Sequence, residues 1–191
     1  MVVPPTSPSA LITAKAELRR TLRAARAAFV AELAPGERAL LEAALVAVLA
    51  ANLGPGLIAA YSAYGDEVDV GALPRDLLYP RATRGKPLTF HRSDAASLIP
   101  GALGIPEPAV ESPIAVPDIV LVPLIAVDAG GHRLGQGGGH YDRTLALLRA
   151  TRQVVAVGIA WDIQRVEVLP ADPWDAPLDA LATPSGWHRF T

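Results

Sequence analysis

Between Arg133 and Arg143 the chain reads RLGQGGGHYDR, with four glycines in positions 135–139 and charged residues on both sides. Glycine lets the backbone approach a ligand closely and adopt positive φ. A run like this ahead of a helix presents unpaired N–H groups and the positive end of the helix dipole, which suits phosphate. Arg133 can offer a two-pronged fork to phosphate oxygens. Asp142 can hold Mg²⁺, which is usually bound by one or two carboxylates together with phosphate oxygens and water. The plainer alternative is a tight strand-to-helix connection, with Asp142 only a charge near the helix N-terminus. Two common nucleotide patterns do not fit. A P-loop ends in Gly-Lys-Ser/Thr, whereas this loop ends in Gly139-His140-Tyr141. A G-x-G-x-x-G pattern started at Gly135 meets His140 where glycine is needed.

Other groups have the right types to join it. Lys15, Arg19, Arg23 and Arg26 recur at helical spacing and fill one stripe about 80° wide. Arginines beside an apolar helix face are commonly solvated. The functional alternative aims Lys15 and Arg19 at the same phosphates as the glycine loop. In YSAYGDEVDV, Asp66, Glu67 and Asp69 follow a candidate strand. They are either an acidic turn that begins a helix or a source of a carboxylate for ligand N–H groups, with Tyr64 stacking beside it. Asp172, Asp175 and Asp179 lie in a proline-rich segment and read singly as turn residues. His91, His132, His140 and His188 lack the paired helical spacing of a zinc site.

These groups need a scaffold. The 191 residues suit one domain, and 51% apolar with 19% charged residues is a globular composition. A formal net charge of −2 argues against a dedicated nucleic-acid binder. With no cysteine, thiolate catalysis, thiolate metal sites and disulfides are excluded. The first residues do not read as a secretory signal, and the longest apolar runs are too short to span a bilayer. A cytoplasmic protein is expected, with no membrane and no nucleic-acid partner. Residues 1–8, rich in Pro, Ser and Thr, are expected to be flexible.

Helical periodicity runs over 9–33, and Pro35–Glu37 starts a second helix to about Leu53. LIAAY (57–61), LLYPR and PLTFHR are strand candidates. IVLVPLIAV (119–127) is the strongest, a continuous apolar run suited to a sheet covered on both faces. The glycine loop follows it, then a helix over 141–151, a strand over 154–160 and one last strand near Leu181. This βαβ order predicts an α/β fold with a largely parallel sheet.

Six ordered blocks carry a resemblance. They are KAELR (Lys15–Arg19), DEVDV, LYPR (Leu78–Arg81), GIPEP (Gly104–Pro108), the long block Asp118–Arg143, and VGIAWDIQRVEVLPADPWDAPLD, which includes Gln164, Pro170 and Asp175. In this order the chain resembles the 5-formyltetrahydrofolate cyclo-ligase family, also called 5,10-methenyltetrahydrofolate synthetases, from about residue 13 to 184. The resemblance implies a single three-layer α/β domain over 1–191, NagB/RpiA/CoA-transferase-like, with a largely parallel sheet flanked by helices. It implies an ATP- and Mg²⁺-dependent cyclisation of 5-formyltetrahydrofolate to 5,10-methenyltetrahydrofolate, releasing ADP and phosphate through a phosphorylated formyl group, by a monomer. Carried over by position, Lys15, Arg19, Arg133, Leu134, Gly135, Gln136, Gly137, Gly138, Gly139, His140 and Tyr141 would contact ATP. Glu67, Tyr64, Gly138, Gly139, His140 and Tyr141 would meet the folate. Asp142, with Asp175 second, would bind Mg²⁺, and Arg133, Tyr141 and Asp142 would sit nearest the chemistry. Val70 replaces a family Thr, His140 replaces a common Tyr, and Gln136 occupies a variable position. No Trp lies between Glu67 and the glycine loop, where some members carry an aromatic folate contact. The alternatives are a related enzyme using ATP on another heterocycle, as in thiamine salvage, and a non-catalytic folate or nucleotide binder.

Overall fold

The computed structural model describes residues 8–101 and 103–190. The expected flexible tip falls mainly on residues 1–7, outside that range; Pro8 already belongs to a helix. Two helices come first, α1 (Pro8–Glu32) and α2 (Glu37–Asn52). Glu37 helps start α2 by accepting the Ala34 N–H at 2.9 Å. The strands are β1 (Ile58–Ala59), β2 (Leu77–Arg81), β3 (Thr89–Arg92), β4 (Ile99–Pro100), β5 (Pro106–Glu107), β6 (Ile119–Pro123), β7 (Ala126–Val127) and β8 (Arg133–Leu134). Helix α3 (His140–Arg149) follows, then β9 (Val155–Ile159), β10 (Ala180–Thr183) and β11 (Gly186–Arg189).

Seven strands form the main sheet in the order β11-β10-β9-β6-β1-β2-β3. The inner pairs are parallel, and the two edge pairs, β2–β3 and β10–β11, are antiparallel. The chain is thus a mixed α/β domain with a mostly parallel sheet. Strand β6 shows why the sheet is covered twice. Ile119 and Leu121 face a core built with Leu45 and Leu49 of α2 and Phe29 of α1. Val120 and Val122 face the opposite core, with Leu145 of α3. Alternation along the strand thus sends apolar groups to both faces. Burying Leu45 or Leu49 fully contributes about 1.5–3 kcal/mol each.

Four expectations change. The apolar run 119–127 is not one strand. The sheet strand ends at Pro123, and β7 turns away to pair with β8. The freed carbonyls of Leu124 and Ile125 accept from buried Gln164, and Leu124 also accepts from Arg26. That pairing makes the break affordable, because a buried unpaired carbonyl would be destabilising. LIAAY contributes only Ile58–Ala59 to ladder pairing. No helix follows the acidic turn, and residues 60–76 run as loop. The last strand near Leu181 has a partner, β11, that the pattern did not suggest.

Candidate active site

The sheet order reverses between β1 and β6. From β1 the chain proceeds to β2 and β3 on one side, while β6 leads to β9, β10 and β11 on the other. In open α/β sheets a ligand crevice forms beyond the carboxyl ends of the strands at such a point. The two loops leaving these strands are the acidic turn after β1 and the β7–β8 hairpin after β6, which delivers the glycine loop to α3.

The hairpin is what aims the loop. Asp128, nearly fully buried, accepts the N–H groups of Gly130, His132 and Leu169 and so fixes the turn between β7 and β8. Leu134 is buried with Ile125, Leu169 and, from α1, Leu18 and Leu22. Its side chain belongs to the core, leaving only backbone for a ligand. Gly137 (φ 99°) and Gly139 (φ 63°) occupy the left-handed region that disfavours other residues. Gly135 is different: a Cβ there would meet nothing within 4 Å. Open space next to its backbone is what a ligand would use. Gly139 caps α3 without a side-chain acceptor, so its first-turn N–H groups have no side-chain cap.

Leu18 and Leu22 also anchor α1 across this hairpin, and the basic stripe lands on the crevice. Each of its four members has a partner within the protein, although Arg23 remains exposed. Lys15 donates to Asp172 (2.7 Å) and Asp175 (2.5 Å). Arg19 donates to the Gly135 carbonyl at 2.8 Å. Arg23 holds Gln136 Oε1 at 2.5 Å, and Arg26 pairs with Asp66 at 2.8 Å. Lys15 and Arg26 are thus buried in the protein, while Arg23 keeps the solvated character of a stripe cation. Burial opposes the Lys15 charge, but its hydrogen bonds to Asp172 and Asp175 raise its pKa. Burial and neighbouring Arg23 lower that of Arg19.

Gln136 and Glu67 join the two loops. Gln136 Nε2 donates to Glu67 Oε1 at 3.2 Å, while Glu67 Oε2 accepts the Tyr64 N–H at 3.2 Å. Burial raises the Glu67 pKa, against the opposing pull of the Tyr64 N–H and Arg26. The Tyr141 phenol is pushed far above its usual range by burial, with Glu67 adding to the shift. Gln136 thus bridges to Glu67 across the crevice, and Tyr141 lies close enough to feel the Glu67 charge. Tyr64 is 61% exposed. His140 turns its Nδ1 toward the Lys86 carbonyl at 3.1 Å, on the β2–β3 connection.

Arg133 is not a free fork. One guanidinium nitrogen donates to Asp142 at 2.5 Å and another to the Ala176 carbonyl. Asp142 Oδ1 also accepts the Ala176 N–H at 3.2 Å, which places it beside Asp175. Among the described residues no group of three or more His, Cys, Asp or Glu could hold a metal by itself. Two carboxylates, Asp142 and Asp175, are too few for an all-protein cage. They fit Mg²⁺, which takes most of its ligands from phosphates and water.

Sequence reading missed three supporting residues. Trp161 donates Nε1–H to the Asp66 carbonyl at 2.9 Å, Gln164 holds the end of β6, and Asp128 holds the hairpin. All three lie within the sequence blocks that carry the resemblance, but nothing in their type or spacing gives them a role. A cavity of about 380 Å³ lined by Arg75, Asp76, Tyr79 and Arg92 lies elsewhere and shares no residue with the crevice. The crevice is defined by its polar groups, not by an enclosed volume.

The 5-formyltetrahydrofolate cyclo-ligase family model matches residues 12–184. The chain belongs to this family. It is 41% identical over 102 residues to the 5-formyltetrahydrofolate cyclo-ligase of Escherichia coli K12, covering 51% of this chain and 54% of that one. It is 37% identical over 102 residues to the Mycolicibacterium smegmatis cyclo-ligase, covering 51% and 52%. The match thus spans about half the length of these curated relatives. Among solved structures, Aquifex aeolicus 5,10-methenyltetrahydrofolate synthetase superposes with a TM-score of 0.73 and 32% identity over 92% of both chains. The Mycoplasma pneumoniae synthetase gives 0.68 and 26% over 89% of this chain and 98% of that one. The cyclo-ligase fold therefore extends over nearly the whole chain. Among the described residues no helix is long and apolar enough to cross a membrane.

Proposed function

We propose that this family member catalyses the ATP-dependent cyclisation of 5-formyltetrahydrofolate to 5,10-methenyltetrahydrofolate. A formamide oxygen is a poor leaving group. Transfer of the γ-phosphoryl group to that oxygen, with ADP leaving, turns it into a good one. N10 then attacks the formyl carbon, loses its proton, and phosphate departs as the ring closes. Such chemistry needs no covalent nucleophile from the protein. It needs positioning and charge complementarity.

The observation that carries the reading is the meeting of two loops at the switch point: the glycine loop over Gly135–Gly139 and the turn bearing Glu67, joined through Gln136. In this reading the glycine-loop backbone, Arg19 and Lys15 bind the triphosphate. Glu67 and Tyr141 bind the pterin, with Tyr64 and His140 at its margin. Asp142 and Asp175 hold Mg²⁺, which would screen phosphate charge. Arg133 orients Asp142 and supplies positive charge behind it. The same reading carries a NagB/RpiA/CoA-transferase-like topology, one domain over the whole chain and a cytoplasmic monomer.

The test is near-ultraviolet absorbance of methenyltetrahydrofolate, followed together with phosphate release, in protein supplied with 5-formyltetrahydrofolate and Mg-ATP. Equal amounts of both products are expected. Nucleotide binding without either product would leave a binding module. Phosphate release with another heterocycle only would leave a related enzyme.

A further inference from the structure

Six cations of α1, β8 and α3 fall into two sets. Lys15, Arg26 and Arg133 are paired with carboxylates. Arg19, Arg23 and Arg143 form no ion pair among the described residues and donate only to neutral oxygens of the loop itself. These are the Gly135 carbonyl, Gln136 and the Gly138 carbonyl. A guanidinium on a neutral oxygen makes a weaker contact than one on phosphate.

Arg143 has the most unusual position of the three. Nη2 donates to the Gly138 carbonyl at 2.6 Å. Nη1 lies 2.7 Å from where a Cβ on Gly139 would stand. Its Nε is buried and has no hydrogen-bond partner, which is destabilising in a folded protein. The residue also sits in the first turn of α3, where the positive end of the helix dipole disfavours a cation. An anion at the helix N-terminus would relieve the second feature and give the outer guanidinium nitrogens a charged acceptor.

We propose that Arg143 is a phosphate ligand of the glycine loop, its guanidinium exchanging the Gly138 carbonyl for oxygens of a bound polyphosphate. This rests on the nucleotide-binding reading above and adds a residue to it. Arg133 then serves Asp142 from behind the site, and Arg143 meets the polyphosphate from the front. The competing explanation is a clamp that fixes Gly138 and Gly139 and never touches ligand.

Calorimetric titration with inorganic tripolyphosphate separates them, using wild type, Arg143→Ala and Arg143→Lys. A charged hydrogen bond of about 1.5–3 kcal/mol corresponds to roughly 10- to 150-fold in affinity. Arg143→Ala is expected to weaken tripolyphosphate at least about tenfold. Arg143→Lys keeps the charge but loses the fork, and is expected to weaken it about three- to tenfold. Should the alanine variant fail to fold, the lysine variant decides. Binding within about twofold of wild type overturns the proposal in favour of the clamp. Absence of tripolyphosphate binding by wild type overturns the nucleotide reading as well. Tight wild-type binding with unaffected variants removes only the role of Arg143.

Discussion

Removing the Asp142 carboxylate should destabilise the protein as well as stop turnover. The Arg133 side chain is only 4% exposed, and Asp142 is its carboxylate partner at 28% exposure. Truncating Asp142 to Ala leaves that guanidinium buried without its ion-pair partner and removes an acceptor from the Ala176 N–H. Breaking a buried pair from one side is worth about 3–5 kcal/mol; partial exposure of Asp142 puts the estimate near 3. In a chain of this length 1 kcal/mol moves Tm by about 2–4 °C, so Asp142→Ala should melt about 6–12 °C early. Asp142→Asn keeps the oxygen acceptor and loses the charge, about 1–2 kcal/mol. Thermal melts without nucleotide read this directly. A double-mutant cycle with Arg133→Met should return a coupling of about 1–3 kcal/mol. If Asp142→Ala melts within about 2 °C of the parent, the ion pair is not a support of the fold and this reasoning is wrong.

Three further outcomes are expected. Burial holds the Glu67 carboxyl above its ordinary 4.5, so the folded state keeps that proton longer than the unfolded one. Its charge destabilises nothing below pH 4.5 and progressively more as pH rises to the raised folded value. Glu67→Gln should flatten the fall in Tm across that window and depress folate turnover; a parallel Tm profile would argue against the buried charge. Gly135→Ala adds a methyl into open space at an ordinary φ. Tm should hold or rise slightly, as when glycine is replaced at a compatible site, while KM for ATP rises; a loss above about 1 kcal/mol would contradict the open space. Arg26→Met leaves Asp66 without its partner and should lower stability by about 3 kcal/mol in denaturant unfolding. An unchanged midpoint would show that Arg26 carries no structural load.

Much of the fold was legible because periodicity is a local property. The ends of α1 and α2 fall within a residue or two of where Leu, Ala and Pro35 place them. What failed was context. Hydropathy cannot show that Pro123 ends the sheet strand, because the following Leu124 and Ile125 are just as apolar and just as buried. Their carbonyls are satisfied by Gln164 and Arg26, which lie far away in sequence. The glycine loop itself was read from its residues, but its delivery by a hairpin was not. In sequence Arg133 reads as a free fork and Asp142 as a metal ligand; only the folded chain pairs them. Gln136, left at a variable position, bridges Arg23 and Glu67. Only the folded chain brings those three together.

Oxygen transfer tests the central claim most directly. 5-Formyltetrahydrofolate carrying a heavy-oxygen label in the formyl group is turned over with Mg-ATP, and the released phosphate is analysed by mass spectrometry. Phosphoryl transfer to the formyl oxygen predicts one labelled oxygen in every phosphate released. Unlabelled phosphate, with the label found in water, would contradict the account.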